Sequence, residues 1–494
     1  MTLLLGIDIG TTGVRGAAFD PAGLAGPAGR LVAEHAVSSP SGSLRTPHAG
    51  WAEADPEAWW TATREVCAKL ATMIDVGRIA AVAVTGQAPT VALVDRDGQA
   101  IRPAILWLDT RADDEAQALS AAIGEDEARR IGGNRTHAYF AGPKIAWLRR
   151  HDAASLDRAR WVLQSHAFVA MRLSGEVATD DSTAALCAPL FDVAARAWSK
   201  EMARAVGVDE AKLPRIVRAH DVIGAVTRAA AAATGLREGT PIVAGGGDFA
   251  ASALGAGVVE EGEACLMLGT AGNLLMPMRQ PRFDARMINS HHVGCDMFLT
   301  LGGTLSGAAQ EWFRRAMAPG ASFEELDAEA ASVEPGARGL LFLPYLQGER
   351  TPIWDVRARG VFAELDLSHG RGDLWRALLD GIALSFRHCA EIVRERGVAL
   401  TEVIAANGGG KSALFRQILC DALGAPLTYV PHGGGTVAGA AILAGIGAGV
   451  LAEANASRAW RGESLRHEPN AAAHARYDEM FRERGALYER MRRA

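Results

Sequence analysis

Leu3-Leu4-Leu5-Gly6-Ile7-Asp8-Ile9-Gly10-Thr11-Thr12-Gly13-Val14-Arg15-Gly16 reads as a strand, a tight glycine turn and a second strand that continues into Ala17-Ala18-Phe19. The first arm is too apolar for a solvated edge strand, so both of its faces are expected to be buried. One polar side chain, Asp8, interrupts it. The turn offers small residues, two hydroxyls and backbone N–H groups that let an anion approach closely, and the carboxylate beside it suits a divalent cation. Together these features fit a nucleotide polyphosphate with magnesium. An ordinary buried hairpin whose Asp8 satisfies a turn fits the same residues.

A second copy sharpens the reading. Glu263-Ala264-Cys265-Leu266-Met267-Leu268-Gly269-Thr270-Ala271-Gly272-Asn273-Leu274-Leu275-Met276 is again an apolar strand, a Gly-Thr-x-Gly turn and an apolar strand. The two turns stand about half a chain apart, a spacing that predicts a duplicated domain rather than a short-period solenoid. Two such hairpins facing each other across a cleft would clamp one nucleotide.

At 494 residues the chain is too long for one core and fits two domains of roughly 200 to 250 residues. The boundary is expected within Pro241 to Ser252, giving domains 1–244 and 245–494. A net charge of −6 argues against nucleic acid or an anionic membrane as the main partner. The six cysteines are scattered without a C-x-x-C pair, as buried free thiols in a reducing compartment would be. The N-terminus enters the first strand without a basic segment or cleavage site, so a cytoplasmic location is expected. The longest uncharged stretch, Gly433 to Ala452, is broken by glycines and reads as a packed helix with its loop, not a membrane span. The oligomeric state is left open, a homodimer included.

Along the chain, Pro21 to Pro47 reads as further strand and loop. Asp55-Pro56-Glu57 is a helix start, with a cap, a first-turn proline and an acid at the positive end of the dipole. Ile79 to Val84 is a buried strand ending in Thr85-Gly86-Gln87-Ala88-Pro89-Thr90, and loops at such strand ends are where substrates bind in α/β domains. Pro103 to Arg111, with Asp109, is another strand end carrying polar groups. Pro241 to Ser252 reads as a strand that breaks into Gly245-Gly246-Gly247, then Asp248, then a small-residue helix. Val403 to Ser412 is a strand entering a glycine loop, and the Arg/Glu-rich end after Asn470 is expected to be a solvated helix.

Several motifs are rejected. Gly408-Gly409-Gly410-Lys411-Ser412 nearly spells a P-loop, but Ala405 stands where the first glycine is needed. No G-x-G-x-x-G follows a strand, and His291-His292, being adjacent, cannot point one way on a strand. Asp248 is the sharpest single residue. Transfer of a phosphoryl group to an alcohol needs a base for the hydroxyl proton, worth typically ~10²–10⁴ in rate, and Asp248 at the mouth of a buried strand suits that task. A helix cap is the other reading of the same aspartate.

These residues resemble the FGGY carbohydrate kinases, most closely the xylulokinase-like branch. The resemblance rests on Gly6 to Gly13, Gly50-Trp51 through Trp60, Arg102 to Arg111, Pro143 to Leu148, Gly245 to Asp248, Leu268 to Gly272, Arg359 to Phe362 with Leu367-Ser368-His369, and Gly408 to Ser412, so it covers nearly the whole chain. It implies an α/β fold of two ribonuclease-H-like domains of the actin/hexokinase superfamily, closing over ATP and a small sugar or polyol. It assigns Asp8 to the magnesium–phosphate region, and Thr11, Thr12, Gly269 and Thr270 to phosphate contacts. Gly408, Gly409 and Gly410 go to the adenosine side and Asp248 becomes the general base, with the acceptor near Gln87, Ala88, Asp109, Asp248 and Phe249.

Three departures from that branch touch the acceptor side. Gly86-Gln87-Ala88-Pro89-Thr90 stands where Gly-Gln-Met-His-Gly is typical, Phe249 where Asn is frequent, and Gln164-Ser165-His166 in place of a Lys-Asp segment. The first two replace a hydrogen-bonding group by an apolar one, a change that shifts selectivity by up to ~10⁴–10⁵. The substrate is therefore not fixed by the resemblance, D-xylulose included. Two other functions are compatible with the fold: an ATPase of the actin or heat-shock class, and a non-catalytic sugar- and ATP-binding sensor. Retention of both Asp8 and Asp248 weighs against the sensor, which needs neither metal nor base.

Overall fold

The computed structural model describes residues 2–22, 29–39, 43–406, 408–431 and 435–493. Parts of the Pro21–Pro47 stretch, Asn407 of the glycine loop, and the first residues of the Gly433–Ala452 stretch lie outside the described residues.

Two sheets carry the chain, and their connectivity repeats. In the first, the order is Val222–Ala225, Pro241–Gly247, Ile79–Gly86, Leu3–Ile9, Gly13–Asp20 and Arg30–Ser38. In the second it is Leu465–His467, Leu427–Tyr429, Glu402–Ala406, Glu263–Leu268, Ala271–Met278, Phe298–Leu305 and Ile288–His291. Each sheet opens with an antiparallel hairpin, Leu3–Ile9 with Gly13–Asp20 and Glu263–Leu268 with Ala271–Met278. In each, the hairpin's first strand then pairs in parallel with a later strand, and that strand with another. Parallel strands buried on both faces read as continuous apolar runs, and Leu3, Leu4, Leu5, Ile7 and Ile9 are indeed wholly buried.

Between the sheets lies a core made from both halves of the chain. It contains Leu4, Ala83 and Val243 of the first sheet, Cys265, Leu275 and Ile404 of the second, and Ala250, Ala253, Ala440 and Ala441 from two helices of small residues. Those helices are Asp248–Gly255 and Thr436–Gly447. They touch backbone to backbone: a Cβ on Gly439 would lie 1.9 Å from Ala251 O. Thr436–Gly447 of the uncharged stretch is thus a packed helix, and no helix among the described residues is long and apolar enough to cross a membrane.

The helix Pro56–Ala71 starts as its sequence dictates, with the Asp55 carboxylate accepting from Glu57 N at 3.0 Å. Two expectations are corrected. The glycines Gly245 to Gly247 do not follow a strand but end one, since Pro241–Gly247 pairs with Ile79–Gly86 through a register shift between Val243 and Gly246. That strand runs unbroken across residues 244 and 245. The terminal helix Ala471–Arg493 is not simply solvated: Tyr477, Met480, Arg484 and Leu487, at helical spacing, are buried. Tyr477 Oη donates to Asp380 Oδ1 at 2.6 Å, and Arg484 donates to Ser385 Oγ at 2.7 Å. The positive charge that made this segment look solvated is partly an internal fastener.

Candidate active site

The parallel strands of the first sheet end side by side. Asp8 stands opposite Thr85, Thr85 opposite Gly246, and Gly86 opposite Gly247. Asp248 is the first residue of the helix after Gly247. Strand register alone therefore brings Asp8 and Asp248 together from residues far apart in sequence. Thr85 Oγ1 donates to Asp8 Oδ1 at 3.0 Å, and Asp248 Oδ1 accepts from Phe249 N at 2.7 Å.

Burial raises the pKa of both carboxylates above the ordinary value, and the negative charge of Asp8 raises that of Asp248 further. Two acids sharing one site cannot both ionise cheaply without a cation between or beside them. The cap reading of Asp248 is not what the fold uses: the helix N-cap is Gly247, with no side-chain cap bond.

The first hairpin turn closes with Gly10 N donating to Gly13 O at 2.9 Å. Thr11 Oγ1 donates to Gln87 Oε1 at 3.0 Å and accepts from Trp107 Nε1 at 3.2 Å. Thr12 is exposed, and its carbonyl accepts from Ser39 N at 2.8 Å. The second turn sits on the start of the helix Gly307–Ala316, with Gly307 N donating to Gly269 O and Ala308 N to Thr270 O, each at 3.0 Å.

A cleft of about 1290 Å³ opens in front of it, lined by Gly269, Thr270, Gly408, Gly409 and Lys411 among others. Four of the expected nucleotide residues thus face one space. Gly410 does not: it is buried, and a Cβ there would meet the Tyr429 ring at 2.4 Å.

A second cavity of about 470 Å³ is bordered by Trp107, Asp109, Tyr139, Thr304, Glu349 and Arg350. It adjoins the first through Leu305 and Gln347, which line both. Asp109 borders it, but its carboxylate is held inside the lobe: it is wholly buried, accepts from Ala52 N at 2.5 Å, and is gripped by the Arg111 guanidinium at 2.7 Å. That carboxylate orders a strand end rather than reaching for a ligand. Gln87, Ala88 and Phe249 are buried, the last two in the interlobe core with Tyr139.

The altered segment proves to be the fastener of the Gln87–Thr90 loop. Ser165 Oγ donates to Gln87 O at 2.8 Å, and Gln164 Oε1 accepts from Thr90 N at 2.6 Å.

Sequence reasoning missed four residues of this site. Thr85 was visible only as a strand end. Tyr139 and Arg350, whose guanidinium lies 4.5 Å from the Tyr139 ring centroid, and Glu349 reach the cavity from loops with no motif spacing. Burial raises the Glu349 pKa to about 7, against the bond it accepts from Thr304 Oγ1 at 2.7 Å.

Comparison with known proteins matches this chain to the FGGY family of carbohydrate kinases, N-terminal domain, over residues 3–255 and to its C-terminal domain over residues 266–448. It is 32% identical to the xylulose kinase of Bacillus subtilis (strain 168) over 454 residues, which is 91% of this chain and 89% of that one. It is 34% identical to the xylulose kinase of Klebsiella pneumoniae over 447 residues, 90% of this chain and 89% of that one. The crystal structure of xylulose kinase from Rhodospirillum rubrum superposes with a TM-score of 0.91 at 32% identity, covering 99% of both chains.

Proposed function

The chain belongs to the FGGY family of carbohydrate kinases, in its xylulokinase-like branch, and is an ATP-dependent sugar kinase; from that premise we propose that it phosphorylates one hydroxyl of a small sugar or polyol, with Asp248 as the general base. The observation that carries this reading is that Asp8 and Asp248, at the ends of the two strands flanking Ile79–Gly86, lie close enough for the charge of Asp8 to raise the Asp248 pKa.

Asp248, its pKa raised by burial and by Asp8, takes the acceptor hydroxyl proton as the oxygen attacks the terminal phosphorus in line, the bond from that phosphorus to the bridging oxygen breaks and ADP leaves with its electron pair. The two hairpin turns, with Thr11, Thr12, Gly269 and Thr270, hold the polyphosphate, and Gly408 and Gly409 border the adenosine side. Closure of the lobes excludes water and limits wasteful hydrolysis of ATP.

The donor set fits magnesium: Asp8 is a hard oxygen ligand with one oxygen fixed by Thr85, and two raised carboxylates favour a cation beside them. When bound, magnesium neutralises charge developing on the phosphates. Thr85 orients Asp8 from behind, and loss of such an outer partner typically weakens metal binding roughly 10- to 100-fold. Thr85→Val is therefore expected to raise the magnesium concentration for half-maximal activity by that factor, read from magnesium titrations of initial rate. An unchanged titration would remove Asp8 from the metal site.

Ala88, Pro89 and Phe249 offer no side-chain hydrogen bond where the xylulokinase-like branch typically carries Met, His and often Asn, which supports an acceptor other than D-xylulose. ADP release, measured with magnesium and ATP over a panel of ketoses, aldoses, polyols and sugar acids, tests this. Strong turnover on one compound identifies the acceptor; preference for D-xylulose would refute the selectivity argument; no turnover on any, with ATP still bound, would refute the kinase mechanism drawn here.

A further inference from the structure

Arg416 lies in the first turn of the helix Ala413–Leu423, which Ser412 caps by accepting from Phe415 N at 3.0 Å. This is a poor place for a cation. Helix N-termini favour negative charge, the side chain is only 6% exposed, burial lowers its pKa, and it makes no ion pair among the described residues. A buried guanidinium kept without a carboxylate must be held by what it donates to.

Its Nη1 donates to Gly410 O at 2.6 Å and to Lys411 O at 2.9 Å. Both carbonyls belong to the single 3₁₀ turn Gly408–Lys411, whose opposite side lines the large cleft through Gly408, Gly409 and Lys411. The turn is packed tightly on both flanks: a Cβ on Gly409 would lie 2.9 Å from Leu268 Cβ, and one on Gly410 2.4 Å from Tyr429. The guanidinium itself stands 5.0 Å from the Tyr429 ring centroid.

Behind Arg416 runs a chain of polar partners. Arg416 Nε donates to His467 Nε2 at 2.9 Å. Since arginine only donates, Nε2 is the acceptor and the imidazole proton sits on Nδ1, which then donates to Gln417 Oε1 at 3.2 Å. Gln417 Nε2 in turn donates to Asp421 Oδ1 at 2.8 Å.

We propose that Arg416 is a positioning residue for nucleotide binding, acting through the Gly410 and Lys411 carbonyls to fix the turn against which the adenosine side rests, with His467 as the acceptor that sets the guanidinium's angle. This rests on the reading of the Gly408–Gly409 cleft as the nucleotide site. Loss of two charge-assisted bonds to the turn is expected to weaken MgADP binding, measured by titration calorimetry on the full chain, roughly 10- to 100-fold in Arg416→Met. His467→Leu is expected to weaken it as well, and His467→Gln, which restores an acceptor for Nε, to recover it. A merely structural role would lower thermal stability without that split between the two His467 variants.

MgADP bound by folded Arg416→Met as tightly as by wild type overturns the inference. If Arg416→Met does not fold, unchanged affinity in His467→Leu does so instead. Gly409→Val separates the place of the nucleotide from the role of Arg416: wild-type affinity there means the nucleotide lies elsewhere, whereas lost affinity there with normal affinity in Arg416→Met condemns only the role of Arg416.

Discussion

Asp248→Asn is expected to lower phosphoryl transfer by about 10²–10⁴-fold while leaving MgADP binding at the wild-type level. The amide keeps the volume of the side chain and the acceptor oxygen for Phe249 N, but it cannot take a proton from a hydroxyl. The same substitution is expected to stabilise the fold, and the sign comes from the titration. In the unfolded chain Asp248 ionises near its ordinary value of about 3.9. In the folded chain burial, and then the charge of Asp8, hold its proton to higher pH. Between the two values the folded state binds more protons than the unfolded one, so wild-type stability falls as pH rises through that window. Asn has no such loss.

The melting temperature of Asp248→Asn should therefore exceed that of wild type at neutral and alkaline pH, the gap closing below the ordinary carboxylate range. The wild-type rate should in turn rise with pH along an acidic limb lying above that range. Turnover near normal in Asp248→Asn would dismiss the base, and a melting gap that widens on acidification would dismiss the raised pKa.

The parts of this protein legible in the sequence are those set by local rules. Both hairpins, with their apolar arms and glycine turns, stand where the repeated Gly-Thr-x-Gly placed them, because strand patterning and turn chemistry act over a few residues. The helix start at Asp55 was readable for the same reason. What sequence could not give was set by long-range register. Thr85 became the partner of Asp8 only because two parallel strands pair Asp8 with it, and no spacing encodes that pairing. Asp109 shows a second effect of the fold: it borders the cavity at a strand end, and Arg111, two residues on, folds back and engages its carboxylate. Gly410 belonged to a glycine run whose members looked equivalent, and only packing against Tyr429 separates it from Gly408 and Gly409. The terminal helix misled because arginine was read as solvent-facing, whereas a guanidinium can bridge buried hydroxyls, as Arg484 does with Ser385.

Gly245→Val is expected to be the most damaging single change to the fold that carries Asp248. Gly245 occupies the register shift in the strand Pro241–Gly247, with φ +71°, and its amide donates to Ala219 O at 2.9 Å. Bulges of this kind use a glycine in the left-handed region to redirect the chain beyond it, here Gly246, Gly247 and Asp248. A Cβ at this position would lie 1.7 Å from Val84 O, a backbone atom of the neighbouring parallel strand that cannot swing aside. Gly239 supplies the control: its φ is +80°, yet a Cβ there meets nothing within 4 Å. Gly239→Val should therefore lose only the dihedral penalty, about 1–2 kcal/mol. Gly245→Val adds the separation of two central strands to the same penalty, and is expected to cost more than about 4 kcal/mol. Denaturant midpoints of the two variants measure the difference directly. Equal midpoints would mean that the strands part at no cost, and that the bulge does not fix the direction in which Asp248 leaves the sheet; a large gap would locate the rigidity of the Asp248 carboxylate in the backbone behind it, three residues before that side chain.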